Sequence, residues 1–199
     1  MFGDRRHTTF GAGDSSPVQP AVQPVNVLVD CLGASFQKLP EIVQRAHRGT
    51  VRLTGKAKVE RGGGLGGLIA LAMRLPRSNP AADLSVDFWH FADQMIWSRD
   101  FDGRVFESTF HRDEDFLVEK IGLVSLYLEP VVEGGRLQYR LAGTYLGPIA
   151  LPAVLAPTIT AWEGESEGKY AFDVSVRLPL VGQLIRYSGS LDVQVLATA

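Results

Sequence analysis

The chain has 199 residues, 45% hydrophobic and 21% charged, a balance that fits one folded domain and excludes a disordered chain. A formal net charge of −2 offers no broad field to attract phosphate backbones or acidic membranes, which argues against nucleic acid as a partner. No apolar run approaches the roughly 20 residues needed to span a bilayer, and the single Cys31 cannot make an internal disulfide, so a cytoplasmic setting is expected.

Residues 1–26 mix Gly, Ser and Pro without periodicity and lack the apolar core of a signal peptide. They read as a flexible N-terminal arm, leaving 27–199 as a single β-rich domain. Ser35 to His47 reads as a short helix with Pro40 in its first turn and Phe36, Leu39, Val43 and Ala46 on one apolar stripe. Val51 to Glu60 alternates apolar and polar at period two, the pattern of a half-buried strand. A glycine-rich turn follows, then a second helix from Leu65 to Arg74, which Pro76 ends.

From Leu84 onward the chain is strand and turn. Asp102-Gly103 and Gly134-Gly135 are two-residue hairpin signals, and Gly164 to Gly168 is a looser third. The count is about eight or nine strands, and connections this short force antiparallel neighbours. The expected class is α+β and mostly β: a strongly curved antiparallel sheet or partly open barrel, with the two helices covering one face or mouth.

Hairpin arithmetic identifies the inner face. With Asp102 and Gly103 as the loop, Phe101 pairs with Arg104, Arg99 with Phe106 and Trp97 with Ser108. Trp97, Arg99, Phe101, Phe106, Ser108 and Phe110 then share one aromatic-rich face. At Gly134-Gly135 the same arithmetic pairs Leu128 with Leu141, Val132 with Leu137 and Val124 with Tyr145, and sets Glu129 opposite Arg140 as an exposed ion pair. A curved sheet this wide encloses space for a ligand, although large aromatics also fill such space.

Arg99 is the anomaly on its face. A buried guanidinium needs a counter-charge or several acceptors, and Glu119, Ser108, Tyr139 and Tyr187 are the candidates. It either anchors a ligand or makes a structural ion pair. His90, in phase with Leu84, Val86 and Phe88, is a candidate acid or base beside Glu119. His47 reads as a stabiliser of a helix carboxyl end. No histidine or cysteine spacing suggests a metal, and no cofactor is implied. Gly62-Gly63-Gly64-Leu65-Gly66-Gly67 matches G-x-G-x-x-G, but the strand before it has the wet face of Lys56, Lys58 and Glu60 and no repeated strand-helix units follow. Those glycines fit a turn that lets the second helix lie close on the sheet. Asp113-Glu114-Asp115 reads as a solvated loop tip.

Several segments carry a likeness: Phe36-x-x-Leu39-Pro40…His47, Gly55-x-Ala57-x-Val59-Glu60-Arg61-Gly62, Trp97-x-Arg99-x-Phe101-x-Gly103-x-x-Phe106-x-Ser108, Leu151-Pro152-x-x-Leu155-Ala156-Pro157 and Phe172-x-Val174…Leu178-Pro179-Leu180-x-Gly182…Tyr187-x-Gly189-x-Leu191. Together they resemble the bacterial domain of unknown function 4166 family from about Gly33 to Val193. The resemblance implies a domain often fused to Rossmann-type or saccharopine-dehydrogenase-like domains and transfers no catalytic residue. It suggests that Trp97, Arg99, Phe101, Ser108, Glu119 and Tyr187 recur together. The expected function is binding of a small, largely apolar molecule on the concave face of the sheet, including the form of a tailoring, isomerising or cyclising enzyme. The alternatives are a carrier or sensor without chemistry, or an accessory domain docking on a dehydrogenase-like partner through Leu65, Leu68 and Ile69.

Overall fold

The computed structural model describes residues 26–91 and 93–196, so the arm read over 1–26 lies, but for Asn26, outside the described residues. Asn26 opens helix α1 (Val27–Leu32), its side-chain oxygen accepting from the amides of Leu28 and Val29, donors that a helix start leaves unpaired. The helix expected over 35–47 is split. A 3-10 turn runs from Gly33 to Lys38, α2 spans Glu41–Ala46, and Leu39 between them is extended at ψ 151°. Pro40 explains the break, because its ring disfavours helical backbone at the preceding residue. The apolar stripe survives it: Phe36, Leu39, Val43 and Ala46 are all buried.

Eleven strands follow: β1 (Val51–Arg61), β2 (Asn79–His90), β3 (Gln94–Phe101), β4 (Arg104–Asp113), β5 (Phe116–Ile121), β6 (Val124–Glu133), β7 (Arg136–Leu146), β8 (Ile149–Ala150), β9 (Thr158–Ser166), β10 (Lys169–Leu178) and β11 (Gly182–Val195), with α3 (Gly64–Ala72) between β1 and β2. Each strand pairs antiparallel with the next, except that the short β8 is a spur on β7, which pairs onward with β9. β11 returns to pair with β1 from Val51↔Val195 to Arg61↔Ile185. The expected mostly-β class holds, and the strongly curved sheet or partly open barrel of about eight or nine strands is corrected in closure and count, to a closed ten-stranded antiparallel barrel with one added strand. Local periodicity does not reveal closure, because the closing partners lie at opposite ends of the chain.

The Asp102-Gly103 hairpin has the deduced register, Phe101↔Arg104, Arg99↔Phe106 and Trp97↔Ser108. Both loop residues take positive φ, 52° and 81°, the turn whose twist matches the flanking strands. At Gly134-Gly135, Leu128↔Leu141 and Val132↔Leu137 hold, but a bulge after Tyr127 shifts the far end, so Val124 faces Leu146 and Ser125 faces Tyr145. Arg140 stands opposite Glu129 yet pairs with Glu133 instead. The third turn is tighter than expected, Glu167-Gly168, and Gly164 lies within β9.

The helices close opposite ends. α1 packs on β4, β5 and β6, and α2 on β9, β10, β11 and β1, whereas α3 lies on β1 and β11 at the other rim. The glycines at 62 and 66 permit that contact: a Cβ on Gly62 would fall 1.7 Å from the Gln183 carbonyl oxygen, and one on Gly66 2.6 Å from it. β7 and β9 pair only at Leu137↔Glu163 and Gln138↔Trp162, so they part toward the α3 end, where the segment 151–157 fills the gap. Asp113, Glu114 and Asp115 are exposed at the opposite end.

Candidate functional site

The α1–α2 half of the barrel is filled by fully buried side chains, among them Phe36, Phe88, Phe110, Met95, Leu117 and Leu137. The other half holds a chamber of about 260 Å³, near the lower bound of small-molecule pockets. Period-two alternation builds its wall: Phe106, Ile121, Val124, Leu126, Ile159, Val174, Val176, Leu178 and Ile185 project inward. Met73, Leu75 and Pro76 beyond α3, with Leu151, Leu155 and Pro157, cover its mouth.

Arg99, Glu119 and Glu163 are the charged residues of this lining. Arg99 is 8% exposed and Glu119 14%; the guanidinium lies 3.6 Å from the carboxylate and donates to Ser108 Oγ at 2.8 Å. It also stacks over the Trp97 ring at 4.9 Å and near Phe106 at 5.6 Å, where the ring faces favour a cation. Burial pushes the Glu119 carboxyl above its ordinary value, and Arg99 and Ser108 only partly pull it back.

Glu163 is the centre of a second network. Its Oε2 lies 2.5 Å from His47 Nε2, and its Oε1 accepts from the Tyr139 hydroxyl at 2.8 Å. Burial alone would raise the Glu163 carboxyl, but His47, with hydrogen bonds from Tyr139 and Tyr170, outweighs burial and holds it below the usual value. Burial, reinforced by Glu163, pushes Tyr139 and Tyr170 well above the ordinary phenol value, so both are neutral donors. Burial likewise raises Tyr187. Thus one carboxyl inclines toward the acid and the other is held as the anion. A void of about 50 Å³ shares Trp97, Arg99, Glu163, Val174 and Tyr187 with the chamber.

Of the residues singled out from sequence, Trp97, Arg99, Phe101, Phe106, Glu119, Tyr139 and Tyr187 line the chamber. Ser108 stands behind Arg99 as its acceptor. His90 is not brought to this site. Its Nδ1 meets the Gly49 carbonyl at the closed end, its ring lies 6.3 Å from those of His47 and Phe88, and burial, then His47, lowers it to about 4. His47 does follow α2, but its ring turns inward to Glu163 rather than toward the helix end. Glu163, Tyr170 and Thr144 were not foreseen as site residues. For Glu163 the signal is present: it shares the inward phase of Ile159 and Ala161. Two buried polar atoms of the lining have no partner among the described residues, Trp97 Nε1 and Thr144 Oγ1. Among the described residues no group of three or more His, Cys, Asp or Glu side chains could hold a metal ion.

These features define a closed antiparallel barrel with an apolar interior chamber and a charged patch set into its wall. The chain belongs to the family described as domain of unknown function (DUF4166), whose model matches residues 39–191, from the end of the 3-10 turn into β11. A search of curated proteins found no match. Among the described residues no helix is long and apolar enough to cross a membrane.

Proposed function

We propose that this protein binds a small, largely apolar molecule inside the barrel, its apolar body against the aliphatic wall and its one polar end toward Arg99, Glu119 and Trp97. The observation that carries the reading is the chamber itself: about 260 Å³ of space walled by apolar side chains, with Trp97 Nε1 and Thr144 Oγ1, unpartnered among the described residues, in its lining. Buried polar groups are normally hydrogen-bonded, so an orphan donor and an orphan hydroxyl beside empty apolar space suit a guest carrying a carbonyl, hydroxyl or carboxylate. The lone Cys31 suits a reducing, cytoplasmic setting.

A catalytic form of this function would use Glu119, since a carboxyl raised by burial can give and take a proton near neutral pH. A tailoring, isomerising or cyclising reaction needs such a group. The carrier or sensor reading is favoured by one fact: both carboxyls already have partners, Arg99 and Ser108 for Glu119, His47 and Tyr139 for Glu163.

Native mass spectrometry of the full chain purified from its own cells tests the proposal. We expect an added mass that solvent extraction removes, diminished in Arg99→Met and absent in Ala161→Trp, which fills the chamber. A chain that carries nothing and displays no uptake of an apolar fluorophore overturns it. If Glu119→Gln carries one molecule and the wild type another that differs from it by a chemical conversion, the site is an enzyme's; an identical guest in both makes it a carrier.

A further inference from the structure

The rim around the chamber mouth is apolar on its outer side as well. Leu65, Leu68 and Leu71 on α3 are 54–65% exposed, and Leu123, Ile149 and Leu180 stand out from the turns and spur at the same end, Leu180 fully. Among the described residues, of the exposed large apolar side chains only Phe91 and Val195 belong to the opposite end. Exposed apolar side chains gathered at one end in this number mark an interaction face.

Charge is distributed unevenly between the ends as well. The connections at the mouth, residues 62–78, 122–123, 147–157 and 179–181, contain no Asp or Glu, and Asp102 is the one acid of the β3–β4 turn. Arg61, Arg74, Arg77 and Arg104 sit here: Arg61 donates to the Leu75 carbonyl, and Arg104 reaches the carbonyls of Arg74 and Leu75. Among the described residues none of the four forms an ion pair. The far end has Asp93, Glu114, Asp115 and Glu167 in its strand connections, and both signs, Asp30, Glu41, Lys38, Arg45 and Arg48, on the helical segment that closes it. An aliphatic face flanked by guanidiniums clustered at the α3–β2 connection matches the layered chemistry of an anionic bilayer, acyl chains beneath and phosphates beside. The nine residues of α3 would extend only about 14 Å, against a hydrocarbon core of about 30 Å. It can therefore lie in the interface but not cross it.

We infer that the mouth end docks on the surface of an anionic lipid membrane, α3 and the neighbouring turns entering the headgroup layer. In that pose the chamber opens toward the acyl chains. The docking stands on the outer surface alone, so it holds or fails independently of what the chamber binds.

Co-sedimentation of the full chain with vesicles tests it, comparing phosphatidylcholine alone with phosphatidylcholine containing phosphatidylglycerol at a fixed ratio. We expect binding to the mixed vesicles that weakens as salt rises. Arg74→Gln with Arg77→Gln should lower the partition coefficient roughly 10- to 30-fold, each cation near an anionic surface contributing about a factor of five. Leu68→Asp with Leu180→Asp should lower it more than about tenfold, whereas Glu114→Gln with Asp115→Asn at the opposite pole should leave it unchanged or raised. All these residues are exposed, so an unchanged circular dichroism spectrum and melting curve certify each variant. No binding to the anionic vesicles, or equal binding by wild type and both mouth variants, overturns the inference. So does a concentration-dependent dimer, or capture of a dehydrogenase-like protein, that Leu68→Asp abolishes while vesicles are ignored.

Discussion

Arg99 and Glu119 form an ion pair that the barrel does not need for stability, and a double-mutant cycle can demonstrate it. At their separation of 3.6 Å and an effective dielectric of about 20, the attraction is roughly 4–5 kcal/mol. Withdrawing each ion from water costs several kcal/mol, so the two terms nearly cancel. Removing one member is different, because it strands the other. Arg99→Met should cost about 3–5 kcal/mol in urea unfolding at pH 7.5. The sign of its pH dependence follows from Glu119, whose carboxyl burial already raises and which loses its opposing cation in the variant. A group whose folded value exceeds its unfolded one stabilises at low pH and loses that contribution as pH climbs through the folded value. The deficit of Arg99→Met should therefore shrink on acidification to pH 5. Arg99→Met with Glu119→Leu should return to within about 1 kcal/mol of wild type, or exceed it. A double variant as unstable as the sum of its single changes would refute this, since additivity leaves no coupling between the two charges.

Two further outcomes follow. Glu163 is held below its ordinary value, so its contribution is present above the unfolded carboxylate value of about 4.3 and is lost as pH falls through the folded one; urea midpoints from pH 6 to pH 3 should fall less steeply in Glu163→Gln than in wild type. Gly62→Ala should cost about 1–3 kcal/mol by overpacking against the Gln183 carbonyl, while Gly63→Ala, at φ −91° with open space around it, should change stability by no more than about 1 kcal/mol, and equal midpoints for the two would sink the close-contact account of α3.

The parts of this fold written in neighbouring residues were legible. Asp102-Gly103 specifies both a turn and a register, and the register alone places Trp97, Arg99 and Phe106 on the inner face. Glu119 was one of four candidate partners of Arg99, with Ser108, Tyr139 and Tyr187, and it is the one that stands 3.6 Å away as an ion pair. What stayed hidden depends on residues distant in sequence. His47 and Glu163 meet across 116 positions, so a histidine at a helix end gave no sign of its buried carboxylate. His90 has the inward phase but lies below the chamber, at the end that α2 closes; phase fixes which side of a strand a residue takes, not its depth along the barrel. The bulge that separates Tyr127↔Gly143 from Leu128↔Leu141 moved one register by a residue, and Gly143, inside β7, is its one local sign. Net charge says nothing of placement: within a total of −2, Arg61, Arg74, Arg77 and Arg104 share one rim whose connections hold Asp102 as their one acid.

Ring closure by β11 has a consequence for how the polypeptide is made. Until its final strand emerges from the ribosome, β1 and β10 each present a row of unpaired amides and carbonyls, the template on which foreign strands add. Completion requires the ladder from Val51↔Val195 to Arg61↔Ile185, a union of remote segments of the kind that makes folding slow, on the scale of milliseconds to seconds. The vulnerable species is thus the nascent chain. Once the circle is joined, the edges left to guard among the described residues are the little spur at β8 and the stretch where β7 and β9 part.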